Sequence, residues 1–169
     1  MAGTAVIARK WRSFATWPVG TRLLVPMVVL LLGLARVATL VLPFRWYAPA
    51  LGKKSLSADV QRPGISERDL LRAQSVGRAV RSSAQITPWR SVCLQQALVA
   101  TFLLRACRVA HVAYLGVARG ERGVDPLRAH AWVIAGATVV TGRGRLKDYA
   151  TVASFEYAPE RKGGPCSPA

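Results

Sequence analysis

Two side chains in this sequence have the type and the setting for nucleophilic catalysis. Cys93 lies in Ser91-Val92-Cys93-Leu94-Gln95-Gln96-Ala97-Leu98, at the head of a run whose apolar residues recur at helical spacing. In the first turn of a helix, unpaired backbone N–H groups and the positive end of the dipole favour a thiolate over a thiol. His130 lies in Arg128-Ala129-His130-Ala131-Trp132-Val133, at the start of a strand-like run. A neutral imidazole there can take a thiol proton and later return it to a leaving amine. Taken singly, a lone cysteine is more often a small buried hydrophobe, and a lone histidine more often a satisfied structural residue.

The other candidates carry less chemistry. Cys107 and His111 are close in sequence but have no credible third and fourth ligands for zinc, so they read as structural. Cys166 falls in the tail. Three cysteines without a C-x-x-C pair suggest neither a disulfide framework nor a four-thiolate metal site, and fit a reducing compartment. No glycine-rich phosphate loop, Walker pattern or zinc-finger spacing is present.

The elements that must position Cys93 and His130 follow from the patterning. Ser66-Glu67-Arg68-Asp69 resembles a capping box, and Leu70, Ala73, Val76 or Gly77, and Val80 continue at helical spacing, predicting a helix over Ser66 to Arg81. A second helix is expected from about Ser91 to Cys107, closing on Arg105 and Arg108. The period then changes. Ala110 to Arg119 reads as a strand and Gly120 to Leu127 as a loop. Ala129 to Ala135, Val139 to Thr141 and Thr151 to Phe155 read as further strands, with a hairpin turn at Gly136. A cysteine on a helix and a histidine on a sheet, 37 residues apart, is the papain-type arrangement.

With 169 residues, the chain has the length of one domain. Hydrophobic residues make up 51% and charged residues 19%, which excludes a disordered chain of low hydrophobicity. Lys and Arg number 24 against 8 Asp and Glu, a net charge of +16 that points to anionic partners. The aromatics do not interleave with the basic residues as on a nucleic-acid-binding sheet, so nucleic acid is disfavoured.

Residues 1–50 hold six Lys or Arg and no acid. Leu23 to Leu42 is nearly the 20 apolar residues that cross a bilayer core of about 30 Å. Pro26, Gly33 and Arg36 oppose a span, the arginine at a cost of about 2.5–3.5 kcal/mol near a helix centre. Three placements stay open: a helix on a membrane surface flanked by Trp11, Trp17 and Trp46, a helix docked on a partner, and a helix packed on its own domain. No cleaved secretory signal is read, since the only A-x-A within residues 1–50, Ala48-Pro49-Ala50, is displaced from the apolar core. The expected organisation is an apolar basic segment (1–52), a linker (53–65), a catalytic body (66–158) and a flexible tail (159–169).

The combination of SVCLQQALVATFLLR, AHVAYLGVAR, AHAWV with its following hairpin, and TVASF resembles the leader peptidases of lasso peptide biosynthesis, the transglutaminase-like family of the microcin J25 processing protein's C-terminal domain. The apolar segment ending in Leu42-Pro43-Phe44, followed by Leu51-Gly52, is also similar to what precedes the peptidase core in that family. The resemblance implies an α+β fold, with a transglutaminase-like or papain-like core of helices followed by an antiparallel sheet. It implies Cys93 as nucleophile, His130 as general base and no cofactor. It implies as partners a lasso precursor peptide, a separate leader-recognition protein and a macrocyclase, in the cytoplasm, with peripheral or single-pass membrane association through residues 23–42 left open. The family's third member is often Asp or Asn about a dozen residues after the histidine. Here Thr141 to Arg143 fall opposite His130 and none is an acid. Asp148 is the next carboxylate. Thr141 or a backbone carbonyl holding the imidazole is the alternative.

Two rival readings differ in class. One is a non-enzymatic basic module binding membrane or nucleic acid, with Cys93 and His130 in the core and a steep salt dependence. The other keeps the fold and releases the thioester to an amine, as a transglutaminase-like acyl transferase.

Overall fold

The computed structural model describes residues 19–55, 63–89, 91–120 and 127–159, with side chains of the first helix described from Val25 onward. In chain order the elements are α1 (Val19–Val41), α2 (Phe44–Leu51), β1 (Lys53–Ser55), α3 (Glu67–Ile86), α4 (Cys93–Ala106), β2 (His111–Arg119), β3 (Leu127–Ala135), β4 (Thr138–Thr141), a 3-10 turn (Leu146–Asp148) and β5 (Ala150–Tyr157). The strands form one antiparallel sheet in the order β1-β5-β2-β3-β4. This is the α+β architecture expected: helices first, then an antiparallel sheet.

Local chemistry sets the helix ends. Ser66 caps α3, its hydroxyl accepting from the Asp69 amide at 3.2 Å, with Glu67 and Asp69 in the first turn. The helix runs to Ile86, five residues past the expected Arg81, because Ser82 and Ser83 continue it rather than close it. Ser83 is fully buried.

Strand alternation separates two faces of the sheet. Ala113, Ala131, Val133 and Phe155 face the helices and join Ala97, Ala100 and Leu104 of α4 and Ala73 and Val80 of α3 in the main core. Alanines on both sides let α4 lie close on β3. Leu32, Leu51 and Leu104 are fully buried here, which stabilises the fold by roughly 1.5–3 kcal/mol each. The other face carries a smaller cluster of Val112, Tyr114, Trp132 and Ile134, covered by Val139, Leu146 and Tyr149.

The apolar segment packs on its own domain along one stripe: Val25, Val28 and Leu32 of α1 are buried, while Met27, Leu30, Leu34, Val37 and Val41 are exposed. No helix among the described residues is long and apolar enough to cross a membrane. Trp11, Trp17 and the tail beyond residue 159 lie outside the described residues. Lys53–Ser55, expected in a connector, instead pairs with Ser154 to Glu156 as an edge strand.

Candidate active site

Cys93 is the first residue of α4 and is half-buried, packed against the main core. Its helix start is tied down on both sides. Buried Gln95 accepts the Val92 amide through Oε1 at 3.2 Å and donates through Nε2 to Thr39 Oγ1 of α1, also at 3.2 Å. Gln96 Nε2 donates to the Ser91 carbonyl at 2.9 Å. The amides of the first helical turn have no intrahelical partner, so their N–H groups are available to an oxyanion beside the thiol. Sequence reasoning missed Gln95, because its box lacks a Ser or Thr at the cap: Val92 stands there.

His130 lies on β3 opposite Gly116, and its ring packs on Trp132 (centroids 6.0 Å apart) and Tyr149 (5.0 Å). Its Nε2 lies 2.9 Å from the Gly142 carbonyl oxygen. A carbonyl can only accept, so in the neutral ring Nε2 carries the proton and Nδ1 keeps the lone pair. Nδ1 is then the basic nitrogen.

The register explains why a backbone atom does this. β4 pairs Thr138 with Ala135 and Val139 with Ile134, then shifts by one residue to set Thr141 opposite Val133, where pairing ends. Beyond it, Gly142 turns at φ +75°, in the left-handed region, and lies against Trp132, where an added Cβ would sit 2.6 Å from the Trp132 Cβ. Of the window expected opposite His130, Gly142 supplies the contact. Thr141 does not: its hydroxyl is buried without a hydrogen-bond partner. Asp148 sits exposed in the 3-10 turn. The acceptor at Nε2 is Gly142, not the Asp148 carboxylate.

The structure does not join thiol and imidazole by a hydrogen bond between these described residues. Cys93 packs with the helix-side core, while His130 shares the face of Trp132. Since β4 leaves β3 after Val133, β4 does not pair with the stretch of β3 that holds His130.

A family model described as the transglutaminase-like superfamily matches residues 38–154. The chain belongs to the transglutaminase-like superfamily. The match takes in α2, β1, α3, α4, β2, β3, β4 and β5 as far as Ser154, including both Cys93 and His130. The superfamily fold is typical of cysteine peptidases and acyl transferases. No curated protein and no solved structure gives a significant match.

Cys107 is exposed at the end of α4. His111 is fully buried, its Nδ1 donating to the Val109 carbonyl at 2.8 Å and its Nε2 without a partner. Burial, with Arg105 nearby, lowers its pKa to about 4 against the bond to Val109. Among the described residues no group of His, Cys, Asp or Glu could hold a metal ion.

Proposed function

We propose that this superfamily member is a cysteine peptidase that removes the leader from a ribosomally made lasso precursor. The observation that supports it most directly is the His130 imidazole, whose Nε2 proton is held by the Gly142 carbonyl and whose Nδ1 is left as the base. Cys93 stands at the N-terminus of the helix packed on the same strand.

Cys93 lies on the helix side of β3 and His130 on the opposite face with Trp132, so this reading requires the thiol and the imidazole to be brought together on substrate binding. Sγ attacks the scissile carbonyl while Nδ1 takes the thiol proton. The oxyanion is held by amides of the first turn of α4. As the tetrahedral species collapses, the C–N bond breaks and the imidazolium returns its proton to the leaving amine, giving a thioester. Water, deprotonated by His130, then attacks the thioester and releases the carboxylate and the thiol. Gly142 is the orienting group. Asp148, the carboxylate next in the chain, acts only if the Gly142 to Asp148 segment refolds toward the ring.

The expected partners are the precursor, a separate leader-recognition protein and a macrocyclase. The test is the mass of a precursor before and after incubation with the chain and that recognition protein. Cleavage by the wild type and none by Cys93→Ala supports the reading. Retained cleavage in Cys93→Ala overturns it, and an amine adduct in place of the hydrolysed product moves the assignment to acyl transfer.

A further inference from the structure

A concave site away from Cys93 and His130 collects three arginines. It lies between α3 and β4, has a volume of about 350 Å³, and is lined by Gln74, Arg78, Arg81, Thr138 and Arg143 with the backbone of β4. Gln74, Arg78 and Arg81 fall on one face of α3 at spacings of four and three residues. Arg143 comes from the segment after β4. The lining contains no carboxylate.

The three like charges face one another across the pocket, Arg78 and Arg143 exposed and Arg81 half-buried. Arg81 is half-buried and donates to the Val140 carbonyl, which fixes one edge of its guanidinium. Burial pulls its pKa below the ordinary arginine value, and the positive charges of Arg143 and Arg78 pull it further. Close approach of α3 to β4 is built in at Gly77, where a Cβ would lie 2.7 Å from the Val140 carbonyl oxygen. Among the described residues the ion pair found is Arg72–Asp69, elsewhere on α3; Arg78 donates to the Ser75 hydroxyl and Arg81 to the Val140 carbonyl, and neither partner neutralises the charge.

We propose that this pocket binds a phosphate or diphosphate group. Guanidinium forks match the oxygens of phosphate bidentately, and three of them suit more than one negative charge. The Thr138 hydroxyl and the Gln74 amide add neutral hydrogen bonds at the rim. The volume is about ten times a water molecule's share of the liquid, which admits a diphosphate.

The test is calorimetric titration of the full chain with inorganic phosphate, pyrophosphate and succinate, at ionic strength held constant with chloride. Pyrophosphate should bind saturably and more tightly than succinate, and the exposed-site variant Arg78→Gln/Arg143→Gln should weaken it at least about 10-fold, the worth of one lost charge-assisted contact. In the wild type, pyrophosphate should also protect Arg78 and Arg143 from phenylglyoxal. Heat reproduced by chloride alone, succinate binding as tightly as pyrophosphate, or equal affinity in the double variant would each overturn the assignment.

Discussion

His130 Nε2 and the Gly142 carbonyl oxygen stand 2.9 Å apart, and this single contact settles which ring nitrogen is basic. A residue with φ +75° supplies it, at a place where a Cβ would collide with Ala131 and Trp132. Gly142→Ala should therefore displace the carbonyl and lower leader cleavage by about 10²-fold, the cost of misplacing a catalytic group by an ångström. Thermal unfolding of the same variant separates this from loss of fold, since cleavage should fall in protein that still melts cooperatively.

Asp148 gives the complementary prediction. Its side chain is exposed and the ring is already held by a backbone group. Asp148→Asn should leave cleavage within about two-fold, as expected of an isolated surface substitution. A loss of two orders of magnitude would reassign the orienting role to the carboxylate.

Thr141 tests the same arrangement through stability. Its hydroxyl is buried with no partner. Replacing it with the isosteric valine removes an unsatisfied donor, so Thr141→Val should raise unfolding free energy by about 1 kcal/mol in urea titration and leave cleavage unchanged. A fall in cleavage would show that the hydroxyl acts on the site.

His111 sets an acid limit. Its pKa is lowered from the ordinary 6.5 to about 4 in the folded chain. The unfolded chain therefore takes up a proton at higher pH than the folded one. The stabilisation of the neutral form is complete above about pH 6.5 and is lost as pH falls toward 4, amounting to about 3 kcal/mol. His111→Asn, whose amide can still donate to the Val109 carbonyl, should flatten that part of the stability-pH curve. An unchanged slope would place the titration elsewhere.

Much of this was legible in the sequence because it is written in local pattern. The Ser66 cap, the helical spacing before Leu104 and the alternation of Ala131, Val133 and Ala135 are each local signals, and the strand bounds came within a few residues. What stayed hidden depends on register and backbone. The one-residue shift between Val133 and Ile134 moves Thr141 away from His130, and the orienting oxygen belongs to a glycine, which no side-chain pattern marks. The edge strand at Lys53–Ser55 escaped because three residues are too few to show alternation. The packing of α1 on its own domain stayed one of three open placements, because a helix apolar all round does not say which stripe is buried.

Activation of the Cys93 sulfur by its helix and by His130 is read in thiol selectivity. Peptide masses after brief treatment with limiting iodoacetamide report which cysteine reacts first. Exposure alone favours Cys107, which is exposed where Cys93 is half-buried. Cys93 should be alkylated first, and His130→Ala should remove the preference. Alkylation of Cys107 ahead of Cys93, with no change in His130→Ala, would contradict it.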